Sequence, residues 1–182
     1  MRALSNNGGF SGQIISTHTD LVIAHGDKLY QLCRKLTYSK EDAEDLFQET
    51  FLKSLEQQPK MNTLENPEQF LFSTAIYLWK SWKRKYARRA RLAPTTQLDE
   101  TIESDIDIEE SVLADENARI VNELVASLPE KLKIPIILYY TVGVGVADIA
   151  FILKVPSGTI MSRLHRARKI LEKGLIDVEY EK

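Results

Sequence analysis

A chain of 182 residues with 43% apolar and 27% charged side chains has the make-up of one soluble domain or two small ones, not of a disordered chain. No apolar run approaches the roughly 18 residues that span a bilayer, and the N-terminus (MRALSNNGGFSGQ) lacks the apolar core of a secretory signal. The net charge of −2 conceals a segregation: seven Lys/Arg and no acid from Phe70 to Arg91, nine Asp/Glu and no base from Thr95 to Glu116, then six basic residues against Glu172 alone from Lys154 to Lys173.

Two basic blocks separated by an acidic one form two surfaces for a polyanion, joined by a strap that avoids it. Nucleic acid is the polyanion this pattern suits. The lone Cys33 rules out an internal disulfide and fits a reducing cytoplasm. It sits between Leu32 and Leu36 on an apolar face and reads as a buried structural thiol. His18, His25 and His165 have no Cys or carboxylate at ligand spacing, so neither a metal site nor any other cofactor is expected.

In chain order, the first 19 residues are rich in Gly, Asn, Ser and Thr and read as a flexible lead-in. From about Asp20 the apolar period is helical, through Leu21, Val22, His25, Leu29, Leu32, Cys33 and Leu36. S-K-E-D from Ser39 is a capping-box pattern, opening a helix that buries Ala43, Leu46, Phe47, Thr50 and Phe51. Pro59 and Asn66-Pro67 bracket a loop around Lys60 to Glu65, and a long helix is predicted from about Glu68 to Arg91. After the linker, helices are predicted at about Val112–Ser127, Lys131–Thr141, Val146–Leu153 and Ser157–Lys173. No segment shows β alternation, so the fold class is all-α. The expected domains are a helical one over 20–92, an acidic linker over 93–111 and a helix-turn-helix domain over 112–175, with a tail over 176–182.

At 100° per residue, Leu71, Ala75, Leu78 and Trp82 fall within about 60° of each other and form the buried stripe of the long helix. Trp79 and Tyr86, at its edge, are expected in the core. Lys80, Arg84, Arg88 and Arg91 lie within about 80° on the opposite side, with Tyr77 among them and Ser81 nearby. A one-sign face costs like-charge repulsion unless an anion relieves it, and an aromatic on that face adds a surface for stacking an unpaired base. Lys83 belongs to the same basic block.

VADIAFILKVPSGTIMSRLHRARKIL, from Val146, has the layout of a helix-turn-helix. Ile149, Ile152 and Leu153 supply the core contacts of its first helix, Ala150 is small where the helices cross, and Val155 anchors the turn. Ser157 is expected to cap the second helix, whose buried stripe is Ile160, Leu164, Ala167 and Leu171. Its free face is Thr159, Ser162, His165, Arg166 and Lys169, with Arg163 on the flank. Hydroxyls followed by basic groups suit base edges and phosphates. Lys154 stands where such turns often use Gly for a positive φ, at a cost of roughly 1 kcal/mol.

D-A-E-D-L-F-Q-E-T-F (Asp42–Phe51), the basic helix after it, L-P-E-K (Leu128–Lys131) and S-G-T-I-M-S-R-L-H-R-A-R (Ser157–Arg168) together resemble bacterial sigma factors of the sigma-70 family. The similarity is to the extracytoplasmic-function (ECF) type with regions 2 and 4 only, over about Asp20 to Leu175. The resemblance implies a non-enzymatic subunit that binds core RNA polymerase, through the β′ clamp helices and the β subunit, and directs initiation at promoter DNA. The Asp42–Phe51 helix resembles region 2.2, which docks on the clamp helices; its exposed face is Asp45, Gln48, Glu49 and Leu52. The basic helix resembles regions 2.3 and 2.4, which engage the −10 element, here through Tyr77, Lys80, Lys83, Arg84, Arg88 and Arg91. The Lys60–Glu65 loop stands where this group captures a flipped base. The −35 reader is the second helix of the motif, with Ser157, Thr159, Ser162, Arg163, His165, Arg166 and Lys169. The acidic linker resembles the connector that threads toward the RNA exit path, and members are often held by a membrane-linked anti-sigma factor. Many members have Arg-Asn in place of Ile76-Tyr77, Asp at Ser81 and Lys at Met161, departures that bear on which promoter is read.

A free-standing helix-turn-helix regulator is the alternative reading; it would bind duplex DNA without polymerase, and usually needs a dimer face or effector domain that the sequence does not display. A nuclease would need clustered carboxylates or a nucleophile–base pair in a folded site, whereas the dense carboxylates here lie in the linker.

Overall fold

The computed structural model describes residues 18–37, 39–57, 66–92 and 116–180. The predicted lead-in up to residue 17, the Lys60–Glu65 loop and the acidic linker lie outside the described residues, as does the predicted helix start at Val112. Among the described residues every element is helical.

The N-terminal bundle comprises α1 (His18–Leu36), α2 (Lys40–Glu56) and α3 (Pro67–Leu92). Its apolar stripes meet as the periodicity predicts: Leu29, Leu32, Cys33, Leu36, Leu46, Leu71 and Ala75 are buried, while Val22 lies at the exposed edge of α1. Burial pushes the Cys33 thiol up to about 12, so it is inert packing. Ser39 caps α2, its Oγ accepting from the Asp42 amide at 3.0 Å. The buried hydroxyls of Thr50 and Ser54 donate to the Leu46 and Phe51 carbonyls, both at 2.7 Å, which removes the penalty of burying them. Pro67 opens α3, where its missing amide costs nothing. Glu68 holds that end to α1 by accepting from Lys28 at 2.9 Å.

The C-terminal bundle comprises α4 (Glu116–Ser127), α5 (Glu130–Ile136), α6 (Val146–Leu153) and α7 (Ser157–Tyr180). The single helix expected over Lys131–Thr141 is instead α5 followed by a π-helical turn, Ile137–Thr141. Pro135 lies inside α5 and deprives the Lys131 carbonyl of its helical donor. The next turn is wider, with the Val142 amide reaching the Ile137 carbonyl at 3.1 Å. α7 also begins at Ser157 rather than after it: the Pro156 carbonyl accepts from the Thr159 and Ile160 amides at 2.9 and 3.3 Å, so Ser157 is the first helical residue and not the cap. α7 continues past the predicted end at Lys173, passing α4 where Gly174 has no Cβ to meet Leu124.

Lys154 adopts the left-handed conformation the motif demands, at φ 54° and ψ 48°. It ends α6 with its amide on the Phe151 carbonyl at 3.2 Å, and Val155 tucks against the core.

The two bundles pack on each other. α6 lies against α3 and the π turn against α1, so the buried side chains form one continuous core. Gln69 Nε2 donates to Asp148 Oδ1 at 2.7 Å and Lys35 Nζ to Asn122 Oδ1 at 2.8 Å across the seam.

Candidate nucleic-acid interface

The exposed half of α3 carries basic side chains and no acid. Tyr77 is 63% exposed, and from Lys83 to Arg89, and again at Arg91, every side chain is open to solvent. Trp79 is buried as predicted, but Tyr86 is 64% exposed, against its expected place in the core. The reason is length: packing of α3 ends near Trp82, and among the described residues nothing covers Tyr86 beyond it.

The basic residues differ in their surroundings. Glu130 of α5 reaches both Lys80 and Lys83, each at 3.3 Å, and Lys83 also stands 4.7 Å from the centre of the Trp79 ring. Lys133 lies close by, its ammonium pushed below the usual lysine range by burial and then by the charge of Lys83. Lys80 and Lys83 are therefore already matched by a carboxylate, whereas Arg84, Arg88 and Arg91 show no ion pair among the described residues. Lys53 of α2 pairs instead with Glu56 at 2.6 Å, and that hydrogen bond, with the charge of the same carboxylate, holds its ammonium above the usual lysine range.

On α7 the predicted faces separate cleanly. Ile160, Leu164 and Ala167 are buried against α5 and α6, with Leu171 partly so. Ser157, Ser162, His165, Arg166 and Lys169 are exposed, and Thr159 and Arg163 sit at the edges. Ser162 Oγ donates to the Thr159 carbonyl at 2.9 Å, leaving its lone pairs facing outward. Met161 is 62% exposed beside them.

A third surface lies on α2. Asp45, Gln48 and Leu52 are exposed on one face, with Leu52 61% open, and Leu55 extends the apolar part of the patch. The i,i+3 spacing of Leu52 and Leu55 was the signal for that extension. Glu49 belongs to this face by position but is half-buried, because its Oε2 accepts from the Trp82 indole Nε1 of α3 at 2.9 Å.

Comparison with known proteins matches two regions of the chain in this order. The model of sigma-70 region 2 matches residues 21–89, and that of sigma-70 region 4 matches 118–171. Similar curated proteins include the ECF RNA polymerase sigma factor SigW of Bacillus subtilis, 28% identical over 87% of this chain and 89% of its own. The ECF RNA polymerase sigma-E factor of Haemophilus influenzae is 31% identical over 74% of this chain and 75% of its own. Among solved structures, RpoE of Bartonella quintana in complex with the anti-sigma factor NepR aligns with TM-score 0.66 at 23% identity, over 86% of this chain and 94% of that one. CnrH in complex with the cytosolic domain of CnrY aligns with TM-score 0.60 at 23% identity, over 88% of each chain. With the two helical units matched in order and a relative above 30% identity covered over three quarters of its length, the chain belongs to the sigma-70 family: it is an ECF sigma factor with regions 2 and 4 only, a non-enzymatic protein that directs promoter recognition by RNA polymerase.

Proposed function

We propose that the three surfaces divide the work of initiation. The Asp45–Gln48–Leu52 face of α2 docks on the β′ clamp helices, its mixed acidic and apolar character suiting a basic coiled coil. The basic face of α3 engages the −10 element through Tyr77, Lys80, Lys83, Arg84, Arg88 and Arg91 and holds its strands apart. The free face of α7 reads the −35 element. The observation that carries this division is that both one-sign faces stay exposed on separate helices while the acidic and apolar patch occupies a third.

The domain limits follow, with 20–92 for polymerase and −10 binding, 112–175 for −35 binding and 93–111 as the connector toward the RNA exit path. Strand opening needs no chemistry: bases leaving the stack exchange stacking on neighbours for stacking on protein, and Tyr77 offers such a ring. Lys80 and Lys83 exchange Glu130 for phosphate when DNA arrives. The Bartonella protein is in complex with the anti-sigma factor NepR and CnrH with the cytosolic domain of CnrY, and an anti-sigma partner, with action in the cytoplasm, is proposed for this chain.

The assignment of α7 is tested by selecting −35 sequences from a randomised pool with reconstituted holoenzyme. Arg166→Ala or Ser162→Ala should each lose about 1–3 kcal/mol of discrimination at one −35 base pair, with the −10 preference retained. An unchanged −35 consensus in both variants would remove α7 as the reader.

A further inference from the structure

The sequence places Glu49 with the polymerase-facing residues, yet its carboxylate is turned to the indole of Trp82, 33 positions along the chain. Both side chains are half-buried where α2 packs along α3. This hydrogen bond marks a boundary. Up to Trp82, α3 is held by its apolar stripe; beyond it, every described side chain is exposed and the helix carries Arg84, Arg88 and Arg91. An indole has one donor and a ring with a broad apolar edge, so fixing its N–H fixes the ring and the helix rotation that the ring sets. A charged acceptor makes the bond stronger than a neutral one and less free to swing.

We infer that Glu49 is a positioning residue for the DNA-binding half of α3, setting the angle at which its arginines leave the α2–α3 bundle. The inference rests on the proposed role of α3 in DNA binding.

Holoenzyme is assembled with Glu49→Ala, Glu49→Gln or Trp82→Phe, the last keeping an aromatic side chain while removing the indole donor. Core affinity is measured by titration, and DNA affinity across a salt series on a duplex that the wild-type holoenzyme selects from a random pool. Glu49→Ala and Trp82→Phe should each weaken DNA binding about fivefold to tenfold and lower the log–log salt slope by about one contact, or 0.7–0.9, as the arginines lose register. Core affinity should stay within about twofold, and the double variant should be no weaker than either single one, since both remove the same bond. Glu49→Gln, which retains an acceptor, should restore most of the loss. A merely destabilised protein would show a smaller active fraction with an unchanged slope, and that result would overturn the inference. So would loss of core affinity on Glu49→Ala and Glu49→Gln with Trp82→Phe unaffected, which returns Glu49 to the polymerase face. If Arg84→Ala, Arg88→Ala and Arg91→Ala together leave the DNA slope unchanged, the role of α3 itself fails, and the latch fails with it.

Discussion

Replacing Arg84, Arg88 and Arg91 together by Ala should lower the slope of log affinity against log salt by about 2–3, because each phosphate contact releases a counterion worth about 0.7–0.9 of slope. Affinity near physiological salt should fall on the order of a hundredfold, at about 1 kcal/mol per contact. These three are the informative choice because Lys80 and Lys83 are matched by Glu130, so their removal changes two interactions at once. The arginines are exposed beyond the packed part of α3, so the triple variant should fold normally and melt within a few degrees of wild type. An unchanged slope would take the basic end of α3 out of the DNA interface.

The second large effect is on stability. Ile160→Ala empties a fully buried position where α7 meets α5 and α6. Such truncations cost about 2–5 kcal/mol, the lost transfer energy plus the cavity that remains. That is a large share of what a folded protein has in hand, about 5–15 kcal/mol. The melting temperature should drop by roughly 5–25 °C, and −35 discrimination should weaken as the seating of α7 loosens. Ser162→Ala, two residues on and exposed on the opposite side of the helix, should change stability by no more than about 0.5 kcal/mol while altering −35 preference. The pair separates what α7 is from what it reads, and calorimetry checks it: a shift of only a few degrees in Ile160→Ala would mean that α7 is not seated as described.

Much of this was legible before the structure because it is periodic. The stripe Leu71–Ala75–Leu78 and the stripe Ile160–Leu164–Ala167 repeat at helical spacing, and the free faces follow by subtraction. The strained turn at Lys154 was legible because the helix-turn-helix layout requires a left-handed residue there whatever its type. What the sequence does not display is register between elements distant in the chain. Glu49 meets Trp82, and Glu130 meets Lys80 and Lys83, only because of how far α2 and α5 slide along α3, which no local pattern specifies. Tyr86 fails for a related reason: its wheel position is right for a core residue, but the helix outruns its neighbours. The π turn after Pro135 had a visible cause in the proline, with an outcome set by packing against α1.

The most direct test of the division among three surfaces is co-elution with bacterial core RNA polymerase. Wild type, an Asp45→Arg, Leu52→Asp double variant and the Arg84, Arg88, Arg91 to Ala variant are compared side by side. Stoichiometric binding by wild type and by the arginine variant, with loss in the folded α2 variant, is the predicted result. Retained binding by the α2 variant, or loss in the arginine variant, would contradict the separation of polymerase and DNA surfaces on which the account rests.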